Sequence, residues 1–327
     1  MAGLAGLGLA GWLLASYGTG RILDLVGQAG WFGIAAVIVF HLSQVLFSAG
    51  AWRAVSGPLV RRPSLAMFCV LRWVREGVNN LLPVAQIGGE FVVTRLMQRQ
   101  GVPLAPAIAG VVADLTVEMA TQIAFTLLGL GLLLHAVGGG GRIAGSVVGF
   151  LAVAVLVVAA VLGAQWFGLA YVFETAFMRV GRALGWAGAA DVEGLHQALL
   201  DCYRRSRSVL ASVLWHTVSW LLGGVEVCLA LHFLGHDIDL AKGTVIESLG
   251  QALRAAGFAV PGALGLQEGG LVVVCGVFGL SPELAIALSL VKRVRELVLG
   301  VPALVASQLL GRRRHGREVD PALEAAP

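Results

Sequence analysis

The sequence predicts an all-α polytopic membrane protein, with about six transmembrane helices and two re-entrant broken helical hairpins forming inverted-topology repeats. Three observations predict this class. The chain of 327 residues is 57% hydrophobic and only 13% charged, and several segments approach the roughly 20 apolar residues that a helix needs to cross about 30 Å of hydrocarbon. Within one apolar run, LRWVREGVNNLLPVAQIGGEFVVTR from Leu71 to Arg95, lie Arg72, Arg75, Glu76, Asn79, Asn80, Gln86, Glu90 and Arg95, interrupted by Pro83 and the pair Gly88 and Gly89. The same device recurs as RAAGFAVPGALGLQEGG from Arg254, where six residues separate Pro261 from Glu268, as six separate Pro83 from Glu90.

An ionised group at the centre of a bilayer costs roughly 2.5 to 3.5 kcal/mol even on the lenient insertion scale. Several such groups must therefore face protein or water. Proline removes a helical donor, and glycine tolerates the turned backbone that follows, so Pro83, Gly88 and Gly89 break the first hairpin, and Pro261, Gly262 and Gly269 the second. Gln86 and Gln267 sit between proline and glutamate in the two copies. Interrupted segments in corresponding positions of two halves point to a transporter's binding site.

Taken in order, the chain forms a single integral membrane domain over 1–327. The stretch Leu4 to Tyr17 is short for a span and has no Lys or Arg before it, which argues against a cleaved signal peptide. A loop around Arg21 and Asp24 leads to a span from Trp31 to about Ser56. Arg53, Arg61 and Arg62 follow and mark the cytoplasmic side, as do Arg95 and Arg99 at the far end of the first hairpin, about 65–101. A long helix opens after Pro103, a residue suited to a first turn, and runs to about Val137. Gly138 to Gly141 lack the Lys and Ser or Thr of a phosphate-binding loop and read as a tight external turn. Ile143 to Phe167 returns. An amphipathic cytoplasmic linker, about 168–208, gathers five arginines, Arg179, Arg182, Arg204, Arg205 and Arg207. The next span runs from about Val209 to Gly235, the loop HDIDLAK is external, and the second hairpin occupies about 245–280. Pro282 to Leu310 crosses back to a basic cytoplasmic tail, 311–327. Both termini are thus cytoplasmic, and the hairpins enter from opposite faces.

The net charge of +4 sits at the ends of apolar segments, a topology signal and not a nucleic-acid footprint. Cys69, Cys202, Cys228 and Cys275 show no paired spacing, so neither a disulfide framework nor a metal site is expected, and no cofactor is implied. Three spans carry polar stripes at helical spacing: Asp114, Glu118, Thr121 and Gln122; His216, Ser219, Trp220, Gly223 and Glu226; and Ser289, Lys292, Arg293, Glu296 and Gly300, with Arg295 to one side. Seven acids (Glu76, Glu90, Asp114, Glu118, Glu226, Glu268, Glu296) face six bases (Arg72, Arg75, Arg254, Lys292, Arg293, Arg295). Near-balance fits mutual pairing as a structural device, but ionisable residues within a membrane default to function and point first to a path for a weakly polar substrate or an ion. A phosphate site would be expected to leave surplus arginine. Candidate substrate-binding residues are Arg75, Asn79, Asn80, Gln86, Glu90, Asp114, Glu118, Arg254, Gln267, Glu268, Arg293 and Glu296. Asp114 and Glu118 are candidates for proton exchange, and His216 alone reads as a hydrogen-bonded core histidine.

The segments RWVREGVNNLLPVAQIGGE, DLTVEMATQ, LQEGG and LSPELAIALSLVKRVREL resemble the hopanoid-biosynthesis-associated membrane protein family (HpnL), a branch of the group containing the flippase region of lysylphosphatidylglycerol synthase. The likeness runs from about Trp31 to Leu310. It implies a bacterial inner-membrane protein handling a hopanoid or other membrane lipid. It also implies translocation between leaflets, with matching positions at Arg75, Asn80, Pro83, Gly88, Gly89, Glu90, Pro261, Glu268 and Gly269. The soluble aminoacyl-transfer domain of the two-domain synthases has no counterpart in this sequence, so aminoacylation of lipid is not expected.

Three function classes follow: a lipid transporter, a non-transporting scaffold for lipid-synthesis enzymes, and an intramembrane lipid-modifying enzyme using Asp114, Glu118 or His216 as acid and base. The sequence holds no HExxH cluster, nucleophile elbow or aspartate-rich prenyl-diphosphate motif, which weighs against the enzyme. A membrane lipid is the expected partner and nucleic acid is not; closely spaced glycines near the amino terminus, Gly3, Gly6, Gly8 and Gly11, allow helix packing and a homodimer.

Overall fold

The computed structural model describes residues 19–57, 63–82, 88–137, 194–256 and 265–312. Among them the regular structure is entirely helical: α1 Thr19–Val55, α2 Leu65–Leu81, α3 Gly88–Arg99, α4 Leu104–Val137, α5 Leu195–Tyr203, α6 Ser206–Phe233, α7 Leu240–Ala256, α8 Leu266–Val277 and α9 Pro282–Arg312. Pro83, Gln86, Pro261 and Gly262, together with the segments expected at Leu4 to Tyr17 and Ile143 to Phe167, lie outside the described residues.

Three helices are long and apolar enough to cross a membrane: Ile22–Val55, Leu104–Ala136 and Ser206–Phe233, with mean hydropathies of 1.9, 1.7 and 1.4. The 31 residues of α9 would extend about 46 Å at 1.5 Å per residue, but Lys292, Arg293, Arg295 and Glu296 fall in the middle of that helix. The chain is a multi-pass helical membrane protein.

One expectation is corrected at the start of α1. Arg21 and Asp24, assigned to a loop, lie in its first segment, which breaks at Gly30 where φ is 60° and ψ 176°. Ile22, Leu25, Val26 and Ala29 recur at helical spacing and pack into the core, so the segment gains apolar contact only as a helix. Trp31 and Phe32 follow the break and are 88% and 79% exposed, as suits aromatic side chains at a membrane interface. Gly269 is also corrected. It lies in the first turn of α8 with nothing near the position of an added Cβ, so it breaks nothing.

Helix starts are capped as the sequence allows. Ser64 Oγ accepts the Met67 N–H at 3.2 Å before α2, and Asp239 Oδ1 accepts the Lys242 N–H at 2.8 Å before α7. That backbone N–H holds the Asp239 carboxyl below its ordinary value. The cap therefore contributes at neutral pH and is lost only as the pH falls through the lowered folded-state value. Asp239→Ala is expected to cost about 1 kcal/mol, read as a lower thermal midpoint in detergent.

The two halves repeat with a constant interval of 178 positions. It relates the ends of α1 and α6 (Val55 and Phe233), the starts and ends of α3 and α8, and the starts of α4 and α9. It also relates Glu90 to Glu268 and Glu118 to Glu296. The left-handed glycines obey it too: Gly57 (φ 67°) with Gly235 (φ 80°), and Gly101 (φ 88°) with Gly279 (φ 73°). The pair α2 and α7 slips by three residues at both ends, and both are 17 residues long. Packing follows the same exchange: α2 lies on α9 as α7 lies on α4, and α1 lies on α9 as α6 lies on α4.

The α1–α6 pair is the centre of this arrangement and runs antiparallel. Gly33 of α1 meets Phe233 late in α6, whereas Gly50 meets Trp215 early in it. An added Cβ would stand 2.7 Å from Phe233 Cγ and 3.0 Å from Trp215 Cε3, so glycine sets the close approach at both ends.

Candidate functional site

Between the two halves the described helices line a half-open cavity of about 260 Å³. Each side of it begins with a short helical pair. In the first, Asn79 of α2 fixes the start of α3: its Oδ1 accepts the Gly89 N–H at 2.7 Å, and its Nδ2 lies 3.2 and 3.3 Å from the two Glu90 carboxylate oxygens. This requires close backbones, since a Cβ on Gly89 would stand 2.5 Å from the Arg75 carbonyl oxygen. In the second pair, Glu268 reaches back to accept the Gly265 N–H at 2.7 Å, and Arg254 donates to Gln267 at 3.2 Å.

Charge is then matched outward from these pairs. Arg75 donates to Asp114 at 2.6 Å and to Glu118, and its Nε lies 3.4 Å from Glu90. Arg72 holds Glu118 with two nitrogens, at 2.8 and 2.5 Å, and Glu76 at 2.7 Å. On the other side Arg254 donates to Glu296 at 2.5 Å. Arg293 lies 3.1 Å from Glu296 and 3.3 Å from Glu268, while Lys292 pairs with Glu247 and Arg295 with Glu226. Arg254 also donates to Asn80 Oδ1 at 2.9 Å, a direct bond from the second helical pair to the first.

The expected residues thus fall into two groups. Arg75, Asn79, Asn80, Glu90, Glu118, Arg254 and Glu296 line the cavity. Asp114, Gln267, Glu268 and Arg293 do not, and each holds a lining residue or its partner: Asp114 through Arg75, Gln267 and Arg293 through Arg254 and Glu296, and Glu268 through Arg293. Gln86 lies outside the described residues.

Sequence reasoning missed a third contributor, α1. His41 lies 2.9 Å from Glu226 and 3.6 Å from Glu76, and Gln44 donates to Glu226 at 2.5 Å. His41, Gln44 and Ser48 recur at spacings of three and four, so the stripe argument used for the other spans would have found them. Glu247 and Gln251, joined at 2.8 Å, form another such stripe with Arg254 on α7. With Glu247 the buried network holds eight carboxylates against six permanent cations.

His216 is 1% exposed and bonds Asp114, itself fully buried, at 3.0 Å, the core role its isolation predicted. The ligand atoms of Asp114, Glu118 and His216 lie within 4.8 Å of one another. Arg72 and Arg75 already bring two positive charges onto those carboxylates, so a divalent cation there would meet guanidinium repulsion. The same arginines hold Asp114 and Glu118 in ion pairs.

Cations on broken, polar helices beside long apolar ones describe a membrane protein with an internal polar site, and the sequence match gives it a place. Residues 1–303 match the family described as lysylphosphatidylglycerol synthase TM region. The chain belongs to that family. No curated protein and no solved structure matches it. The family match spans both halves, including α1, both helical pairs and all the ion pairs described. Membership places the cavity in a protein concerned with membrane lipid.

Proposed function

We propose that this member of the family is a lipid transporter of the flippase type in a bacterial inner membrane, and not an enzyme. The observation that carries the proposal is the polar cavity at the junction of two helical pairs occupying equivalent positions in two halves. The pairs α2–α3 and α7–α8 act as re-entrant broken hairpins. The antiparallel α1–α6 pair supports an inverted-topology repeat, so the hairpins enter from opposite faces. In this topology the chain makes six crossings and keeps both termini in the cytoplasm.

The polar head of the lipid enters the cavity while its tails stay in the bilayer. Mutual pairing of the buried charges offsets much of their desolvation before any lipid arrives, so the head meets a polar surface already in place. Movement of one half against the other would open the Arg254–Asn80 bond and re-expose the cavity on the other side. The cargo is a hopanoid or a related membrane lipid, in keeping with the HpnL-like motifs of the first hairpin.

The test is a leaflet-resolved assay in proteoliposomes comparing wild type with Glu90→Gln/Glu268→Gln. Glutamine keeps the acceptor at both helix starts, so the variant is expected to fold, and to lose at least about 90% of lipid movement if those charges are needed in the cycle (about 1.4 kcal/mol per tenfold). Normal movement by this variant would sink the mechanism.

Complete internal pairing favours one second reading, a scaffold for lipid-synthesis enzymes whose charges only hold broken helices together. It predicts that wild type moves no lipid and that charge variants act through stability alone. A homodimer is compatible with either.

A further inference from the structure

We propose that the cavity takes an uncharged, hydroxyl-rich lipid head, a polyol or a single sugar, in preference to a phosphate or an ammonium. The movement of that lipid depends on the transporter proposed above; the chemistry of its head depends on the cavity alone.

Among the described residues the charge in the site is already committed. Each of the eight carboxylates meets a guanidinium, the Lys292 ammonium or an imidazole, and each of the six cations meets a carboxylate. The first half holds Arg72 and Arg75 against Glu76, Glu90, Asp114 and Glu118, while His41 lies 2.9 Å from Glu226 and 3.6 Å from Glu76, and His216 lies 3.0 Å from Asp114. The segments 83–87 and 257–264 contain no Asp, Glu, Lys, Arg or His and so add none. An anionic head would have to draw an arginine from its carboxylate and leave that carboxylate buried and bare; an ammonium head would have to compete for a carboxylate that already meets a guanidinium, the Lys292 ammonium or an imidazole. Either exchange is opposed by the desolvation that pairing now offsets.

What remains on the wall is neutral hydrogen-bonding capacity. Gln44, Asn80, Gln122 and Gln251 each bond the protein through one end of the amide, to Glu226, Arg254, the Gln251 carbonyl and Glu247 respectively. Among the described residues the other end of each has no protein partner, and all four line the cavity. A hydroxyl both donates and accepts, so it satisfies an amide oxygen and an amide N–H alike. At about 260 Å³ the space falls just under the roughly 300 Å³ at which small-molecule pockets begin, enough for a small head and not for a whole lipid.

The experiment uses the full chain in two formats. In detergent, thermal midpoints are read with a monoglycosyl diacylglycerol, phosphatidylglycerol, a diacylglycerol bearing an ammonium head, and free inositol. In proteoliposomes, the leaflet exchange of the same three lipids is followed. The glycosyl lipid is expected to raise the midpoint with increasing concentration and to exchange at least about tenfold faster than either charged lipid. Gln122→Met/Gln251→Met keeps the bulk of both side chains without their acceptors and should cut that exchange about tenfold. The preference of the wild-type protein tests the head chemistry even if this variant does not fold. Preferential stabilisation by either charged lipid would overturn the assignment whether or not lipid moves. Stabilisation by free inositol as strong as by the glycolipid would overturn its lipid part. Stabilisation by the glycolipid alone, with no lipid exchanged, would uphold the head chemistry and remove the transporter.

Discussion

Arg75→Met is expected to lower stability by about 3 to 5 kcal/mol, the scale measured when one partner of a buried pair is removed. Arg75 is 3% exposed and touches Asp114, Glu118 and Glu90 together. It ties α2 to both α3 and α4, and its guanidinium carbon also lies 5.5 Å from the centre of the Trp52 ring. Methionine would retain much of the packing and none of the charge. Asp114 would keep His216 and Glu118 would keep Arg72, but Glu90 would be left with Asn79. The thermal midpoint in detergent should fall by about 5 to 10 °C. Arg75→Lys should land between, because an ammonium carries the charge without the planar fork that reaches two carboxylates at once. In Arg75→Met/Asp114→Asn the loss should be smaller than the sum of the single losses, since the two groups share one contact. An unchanged midpoint in Arg75→Met would mean that apolar packing alone holds α2 to α4.

Gly89→Ala should be nearly as damaging, for a steric reason. The new Cβ would lie 2.5 Å from the Arg75 carbonyl oxygen, 2.8 Å from Asn79 Oδ1 and 3.0 Å from Arg75 Cγ. The nearest of these is backbone, so α3 must move away from α2 and the Asn79 bonds to Gly89 and Glu90 must lengthen. Overpacking of this kind costs about 1 to 3 kcal/mol, occasionally more, and here it would also displace Glu90 from Arg75. Both the melting midpoint and lipid exchange should drop. Gly269→Ala is the matched control: it lies in the first turn of α8 with open space around its Cβ position, and should be neutral or stabilising by up to about 1 kcal/mol, the helix-propensity gain of alanine over glycine. Equal effects of the two substitutions would remove the close approach as the cause.

Much of this architecture is written in local sequence. The helix after Pro103 and the last long helix were legible because apolar length and capping act within a few residues. The recurrence of proline, glutamine and glutamate marked both helical pairs. The polar stripes on α4, α6 and α9 were legible because a 3.6-residue period decides which side chains share a face. Local signals misled at Arg21 and Asp24, where charges suggested a loop and an apolar stripe buried against distant helices made a helix. They misled again at Gly269, since glycine permits a break without causing one.

By itself the sequence determined a membrane protein of apolar helices interrupted twice by charge, because the cost of ions in hydrocarbon is large and independent of fold. It determined near-balance of acids and bases as a matter of composition. Only the tertiary structure decided which acid meets which base, since Arg75 and Asp114, or Arg295 and Glu226, are brought together by helices far apart in the chain. It alone set His41 and Gln44 of α1 against Glu226, joined the two helical pairs through Arg254 and Asn80, and left glutamine amides with one free end on the cavity wall. Pairing depends on distances of a few ångströms in three dimensions, and no spacing along the chain encodes those.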